Sequence, residues 1–223
     1  GPGLPGTCAG WPGARGRVPV TDRPLLLLDI DGVLNAIPDE PSPPGYTLHE
    51  MDGFAIHLRS DLRDMVTALA ERFDIVWFTL WNERASLLMG PQVGLEQAPY
   101  LHTSWHLGER IMFEQGYPAS ALDRILYAKS PILTQQVDRA QRWVWIDDAH
   151  GHDDHAYLTR EGFDPANFRL LRTDGGTGLT WADVRRAIAW LPHLGHVAEE
   201  FDARGSAHHG PGSTAGRADA VGE

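Results

Sequence analysis

Cysteine occurs once in these 223 residues, at Cys8. A single thiol closes no intrachain disulfide and builds no cysteine-based zinc site, so the simple expectation is a cytoplasmic protein. Positive charge is scarce: 19 lysines and arginines stand against 30 acids, a formal net charge of −11. Such a surface as a whole repels polyanions, which argues against broad electrostatic binding of nucleic acid and leaves room only for a local basic groove. Lysine itself occurs once, at Lys129. No apolar run approaches the ~20 residues that span a bilayer, so no membrane partner is expected. The leucine run at 25–28 is also shorter than the ~7–15 apolar residues of a secretory signal core.

What is present is enough for one globular domain: 42% of the residues are hydrophobic. Residues 1–20 are expected to be a disordered leader and 198–223 a disordered tail, because Gly, Pro, Ala, Ser and His dominate them and bury too little to offset ordering. The domain is expected over 21–197.

Within it, Leu25-Leu26-Leu27-Leu28 is apolar without alternation, as in a strand covered on both faces at the centre of a parallel sheet. It stops at Asp29-Ile30-Asp31-Gly32, two carboxylates and a chain-turning glycine. Prolines and glycine exclude a helix over 36–57, which reads as a loop or hairpin flap with a turn at Asp52-Gly53. A helix is expected from Ser60, then a strand Ile75–Phe78 ending at Thr79, then a helix from Asn82 that stops at Gly90-Pro91.

Residues 91–128 are a variable segment with a possible strand near Tyr100 and a helix near 107–115. Beyond it, Ser130 reads as an N-cap with Pro131 at the first helical position. The strand Trp143–Ile146 leads to Asp147-Asp148, a helix follows over 153–161, and Phe168–Leu171 is another strand. After a glycine loop, Thr180-x-x-Asp183 resembles a capping box opening a last helix. Strands alternating with helices argue for an α/β fold, a doubly wound three-layer sandwich on a central parallel sheet.

Three apolar strands thus end in Asp29 and Asp31, in Thr79, and in Asp147 and Asp148, with Lys129 just upstream of the third. Ligands of open α/β sheets sit at the carboxyl ends of the strands. Carboxylates from two strands can converge there on one hard cation such as Mg²⁺. Each piece has an ordinary reading alone: a strand-end threonine, a solvated lysine, acids in a turn. Their coincidence is what carries weight. His150, His152 and His155 have zinc or nickel donor chemistry, but among Asp153 and Asp154 they read more simply as a polar loop and helix start.

This pattern resembles the haloacid dehalogenase superfamily of phosphotransferases. The points of likeness are Asp29-Ile30-Asp31-Gly32 after a strand, Thr79 closing a second, Lys129, and Asp147-Asp148 closing a third. Leu28-Asp29-Ile30-Asp31-Gly32-Val33-Leu34-Asn35, Thr79 followed by Trp81-Asn82, and Lys129-Ser130-Pro131 are most similar to small, capless members related to the phosphatase domains attached to RNA-repair proteins.

The resemblance implies a Mg²⁺-dependent phosphomonoesterase with a minimal cap. Asp29 would be the nucleophile and Asp31 the acid and base, while Thr79 would donate to the phosphoryl oxygens and Lys129 would hold Asp29 ionised and neutralise developing charge. Asp29, the Asp31 carbonyl, Asp147 and Asp148 would hold the metal, and Asp153 stands where some relatives carry a further acid. The substrate would be a phosphorylated small molecule, a nucleotide or a nucleic-acid end. Asn35, Trp81 and Asn82 are candidates for touching it, Trp81 and Trp105 by stacking. Two rival readings are a non-catalytic phosphate-binding scaffold and a phosphotransferase to an acceptor other than water.

Overall fold

The computed structural model describes residues 18, 20–39, 44–117, 129–150 and 152–191. Four strands form a parallel sheet in the order β4-β1-β5-β6: β1 (Leu25–Leu28), β4 (Asp74–Trp77), β5 (Trp143–Asp147) and β6 (Phe168–Arg172). β1 is central, with Leu28 level with Trp77 on one side and Ile146 on the other. Its unbroken leucine run follows from this position. Leu26 and Leu28 enter one core and Leu25 and Leu27 the other, and none is exposed to solvent.

The first core lies under α1 (Leu62–Ala70) and α6 (Trp181–Ala189); the second lies under α3 (Trp105–Glu114), α4 (Lys129–Gln136) and α5 (His152–Arg160). This is the expected doubly wound sandwich. Among the described residues no helix is long and apolar enough to cross a membrane.

The segment after β1 forms an antiparallel hairpin, β2 (Tyr46–Met51) and β3 (Phe54–Arg59), turning at Asp52-Gly53, where both residues have positive φ. Met51, Ile56 and Leu58 bury one face of it in the first core. The tip is tied down by an ion pair between Asp52 and Arg84, and the base by the Tyr46 hydroxyl, which donates to the Thr177 carbonyl at 2.6 Å.

Several local expectations are corrected. The helix expected from Ser60 begins at Leu62, and Asp61 at its N-cap makes no side-chain cap bond. That carboxylate is taken instead by the Arg59 guanidinium (3.0 Å to each oxygen) and the Trp181 indole N–H (3.1 Å). The helix expected to stop at Gly90-Pro91 does not. A π-helical turn, Ala85–Met89, runs into the short α2 (Gly90–Val93), which ends at Gly94 with φ 80°. Pro91 follows directly on the π-helical turn, whose last bond is the Gly90 N–H donating to the Ala85 carbonyl. Gly90 is needed for space, since a Cβ there would lie 2.9 Å from the Glu96 Cα.

The strand sought near Tyr100 is a single bridge to Trp77 that covers the β4 edge. The helix sought at 107–115 is α3, capped by Ser104, whose hydroxyl accepts from the Leu107 N–H at 3.1 Å. Ser130 is not a cap. It lies inside α4, wholly buried, and its hydroxyl donates to Asp154 at 2.7 Å. The Thr180–Asp183 capping box is present.

Of the expected leader, only residues 18 and 20 are described. Val18 is buried and its N–H donates to the Gln136 carbonyl at 2.6 Å. The remainder of the leader, residues 118–128 of the variable segment and the expected tail lie outside the described residues.

Candidate active site

The site is built where β1 and β5 end side by side. The Asp29 N–H still donates to the Ile146 carbonyl (3.2 Å), and then the chain leaves the sheet. It coils tightly, with the N–H groups of Leu34 and Asn35 both donating to the Ile30 carbonyl and that of Gly32 to Asn35. Gly32 has φ 72°, and a Cβ there would lie 2.3 Å from the Asp148 carboxyl carbon. Gly175, in the loop after β6, approaches the same carboxylate from another side, with a notional Cβ 2.8 Å from Oδ2. Two glycines thus make the seat for Asp148. The Thr173 hydroxyl closes the arrangement by donating to the Gly32 carbonyl at 2.9 Å.

Lys129, at the start of α4, lies between the strand ends. Its Nζ donates to Asp29 Oδ2 at 2.9 Å and to Asp147 Oδ2 at 2.7 Å, and all three side chains are buried. Asp147 also accepts from the Trp145 indole (3.2 Å) and, through Oδ1, from the Ala149 N–H (3.1 Å). One oxygen each from Asp29, Asp147 and Asp148 lie within 4.8 Å of one another. Acids more than a hundred residues apart in the chain therefore meet at one rim of the sheet.

The electrostatics show a deficit of positive charge. Burial pushes the Asp29 carboxyl up from its ordinary 3.8 to about 7, with Lys129 opposing and Asp147 adding to the rise. Burial, aided by Asp29, also raises Asp148. Burial pulls the Lys129 ammonium down, but Asp29 and Asp147 outweigh it and push it above its ordinary value. Three carboxylates face one ammonium, leaving two negative charges when all are ionised. A divalent cation would neutralise that excess, and oxygen donors are what hard cations such as Mg²⁺ prefer. The residues fit such an ion.

Asp31 is turned away from this cluster. Its Oδ1 accepts from the Asn35 amide at 2.9 Å and its Oδ2 from the Trp81 indole N–H at 2.9 Å. Asn35, buried, also accepts from the His57 N–H of the hairpin. Asn35 and Trp81 thus grip Asp31 from both sides. Trp81 packs partly into the first core as well.

Thr79 is buried two residues past β4, and its hydroxyl accepts from the Trp81 N–H (3.4 Å). Asn82, at φ 51°, ties this loop to the 99–104 segment: its amide exchanges bonds with the Thr103 backbone at 2.9 and 2.7 Å. Trp105 stands 45% exposed at the start of α3.

His150 is buried against Trp145, and desolvation pushes its imidazole below the ordinary value. His155 lies against Phe168. The described histidines join no metal-holding group, and neither does Asp153; among the described residues Asp29, Asp147 and Asp148 form the single such group. The side chain of His152 lies outside them. Sequence reasoning missed the Ser130–Asp154 pair and the seat made by Gly175. A glycine-rich loop after the last strand was the available signal for the second.

A family model described as the HAD domain in Swiss Army Knife RNA repair proteins matches residues 25–184. The chain belongs to this family. Its matched span runs from the first residue of β1 into α6 and takes in every acid described above. Comparisons with curated proteins and with solved structures gave no match. The HAD fold accounts for the placement: a doubly wound sheet with its acids at the carboxyl rim.

Lys129→Met tests the charge accounting. Without the metal, an acid whose folded pKa is raised binds more protons folded than unfolded between the two values, so its contribution falls as pH rises from 3.8 to about 7 for Asp29. Removing the ammonium raises the acids further. The variant is expected to lose about 3–5 kcal/mol near pH 8 and clearly less near pH 5, read by urea denaturation at both pH values.

Proposed function

We propose that this HAD domain is a Mg²⁺-dependent phosphomonoesterase that works through an aspartyl-phosphate on Asp29 and acts on a nucleic-acid end. The observation that carries the reading is the Lys129 ammonium bridging Asp29 and Asp147 at the ends of adjacent strands. A nucleophilic carboxylate facing a phosphate dianion needs fixed positive charge beside it, and the Lys129 ammonium stands 2.9 Å from Asp29.

Asp29, Asp147 and Asp148 would hold the cation, with the Asp31 carbonyl as a further oxygen donor. When bound, it offsets the repulsion between carboxylate and phosphate. Lys129 holds Asp29 Oδ2 in place and balances charge that develops in the displacement. Asp29 attacks phosphorus; the bond to the leaving oxygen breaks as Asp31 delivers its proton there. In the second step Asp31 takes a proton from water, which attacks the aspartyl-phosphate, frees phosphate and restores Asp29. Thr79 donates to a phosphoryl oxygen.

The grip of Trp81 and Asn35 on Asp31 belongs to this scheme, because proton transfer depends on the carboxyl staying within hydrogen-bond reach of the leaving oxygen. The family's description, RNA repair, supports a nucleic-acid end as substrate. The β2–β3 hairpin reaches Asp31 through the Asn35 side chain.

Hydrolysis of 4-nitrophenyl phosphate is expected to require Mg²⁺ and to be abolished by chelation. Asp29→Asn is expected to lose turnover and phosphate burst labelling while keeping its thermal unfolding profile; retained turnover in that variant refutes the covalent route. Trp81→Phe keeps an aromatic ring, though a smaller one, and removes the N–H. It is expected to lower kcat by about 10²-fold, the lower range for a general acid–base contribution, on phosphates with alkyl leaving groups. The effect on 4-nitrophenyl phosphate should be much smaller, since that leaving group needs little protonation. An equal loss on both substrates assigns Trp81 to packing alone.

A further inference from the structure

β6 is an edge strand of the sheet and pairs with no further strand among the described residues. Along it opens a cleft of about 290 Å³, lined among others by Arg169, Arg172, His150, His155, Phe168 and Trp190 and by no acid. In a chain with a formal net charge of −11, an open cleft with two guanidinium groups and no carboxylate in its lining is a local reversal of sign. Arg169 is exposed and has no ion-pair partner among the described residues. Arg172 donates through Nε to the Asp148 carbonyl at 2.7 Å, and no carboxylate pairs with its terminal nitrogens among the described residues.

That contact joins the cleft to the acid cluster. From Arg172 the cleft follows a strand of five residues, a path of about 13 Å at ~3.3 Å per residue. Its walls carry rings from the two layers. His155 of α5 lies against Phe168, with centroids 5.0 Å apart, and Trp190, just past α6, is half-buried.

We infer that this cleft is the track for the single-stranded nucleic-acid chain whose phosphorylated end enters the acid cluster. Arg172 and Arg169 pair with successive backbone phosphates, and Trp190 and His155 offer faces on which bases stack. Guanidinium groups tracking a backbone beside aromatic rings are the two components of sequence-tolerant single-strand binding. An acidic peptide would use the arginines but leave the rings without a role. The identity of the bound end rests on the phosphomonoesterase reading; the existence of the track does not.

The test uses the full chain in EDTA, so that binding is read without turnover. The probe is a 5′-fluorescein single-stranded RNA of about ten nucleotides with a 3′-phosphate, a length within the range of single-strand sites, followed by anisotropy against salt. Wild type is expected to bind with log K falling as log salt rises. Arg169→Glu is expected to bind about 5- to 10-fold more weakly, with a slope flatter by about 0.7, the value of one single-strand phosphate contact.

The same variant should hydrolyse 4-nitrophenyl phosphate with unchanged kcat/KM, because Arg169 lies outside the acid cluster. Absence of RNA binding by wild type, or equal binding by Arg169→Glu, overturns the track. Displacement of the RNA by an oligo-glutamate peptide of matched charge overturns it in favour of a peptide groove. If Arg169-dependent RNA binding is found in a protein without phosphatase activity, the track stands and the phosphomonoesterase reading falls.

Discussion

One buried ammonium organises the site. Lys129 touches Asp29 and Asp147 at the ends of neighbouring strands, and without it the β1–β5 junction would bring like charges together in a space closed to water. Such a group is costly to bury and stays charged because acids surround it. The acids in turn outnumber it, which is why Asp29 is pushed up to about 7. The protein therefore folds around a charge imbalance that a divalent cation would relieve. Stability and binding chemistry are two sides of the same arrangement.

Everything else at the rim serves to hold that cluster. The glycines at 32 and 175 leave room for Asp148, since a side chain at either would strike its carboxylate. Ser130, beside Lys129 in α4, is fastened to Asp154 in α5 by a buried hydrogen bond, which couples the lysine-bearing helix to the helix that follows Asp147 and Asp148. On the other flank, Asn35 and Trp81 fix Asp31, and Asn35 in turn reaches the hairpin through the His57 N–H. The flap and the carboxylate it flanks are thus mechanically linked.

The architecture and the acids were legible in the chain because their signals are local. A doubly buried strand reads as an unbroken apolar run, and Asp-x-Asp-Gly at its end gains its meaning from the acids, threonine and lysine at the other strand ends. The Thr180–Asp183 box was legible for the same reason. What failed to read were positions where one residue type serves two environments. Ser130 before proline looks like a cap, yet the same hydroxyl serves as a buried donor to Asp154. Gly90-Pro91 looks like a stop, yet its glycine answers the close approach of Glu96. Trp81 and Asn35 carry polar atoms suited to a substrate or to a neighbour, and only the fold shows both turned onto Asp31. The β6 cleft was illegible because the arginines of β6 meet histidines and a tryptophan that come from other stretches of the chain.

Calorimetric titration with Mg²⁺ near pH 6, in buffers of differing ionisation enthalpy, tests the central claim most directly. With Asp29 still largely protonated below its value of about 7, binding of one ion per chain is predicted to expel a proton. That release should disappear well above this pH, and Asp147→Asn should abolish the binding. Binding without proton release, or undiminished binding by Asp147→Asn, would contradict the account.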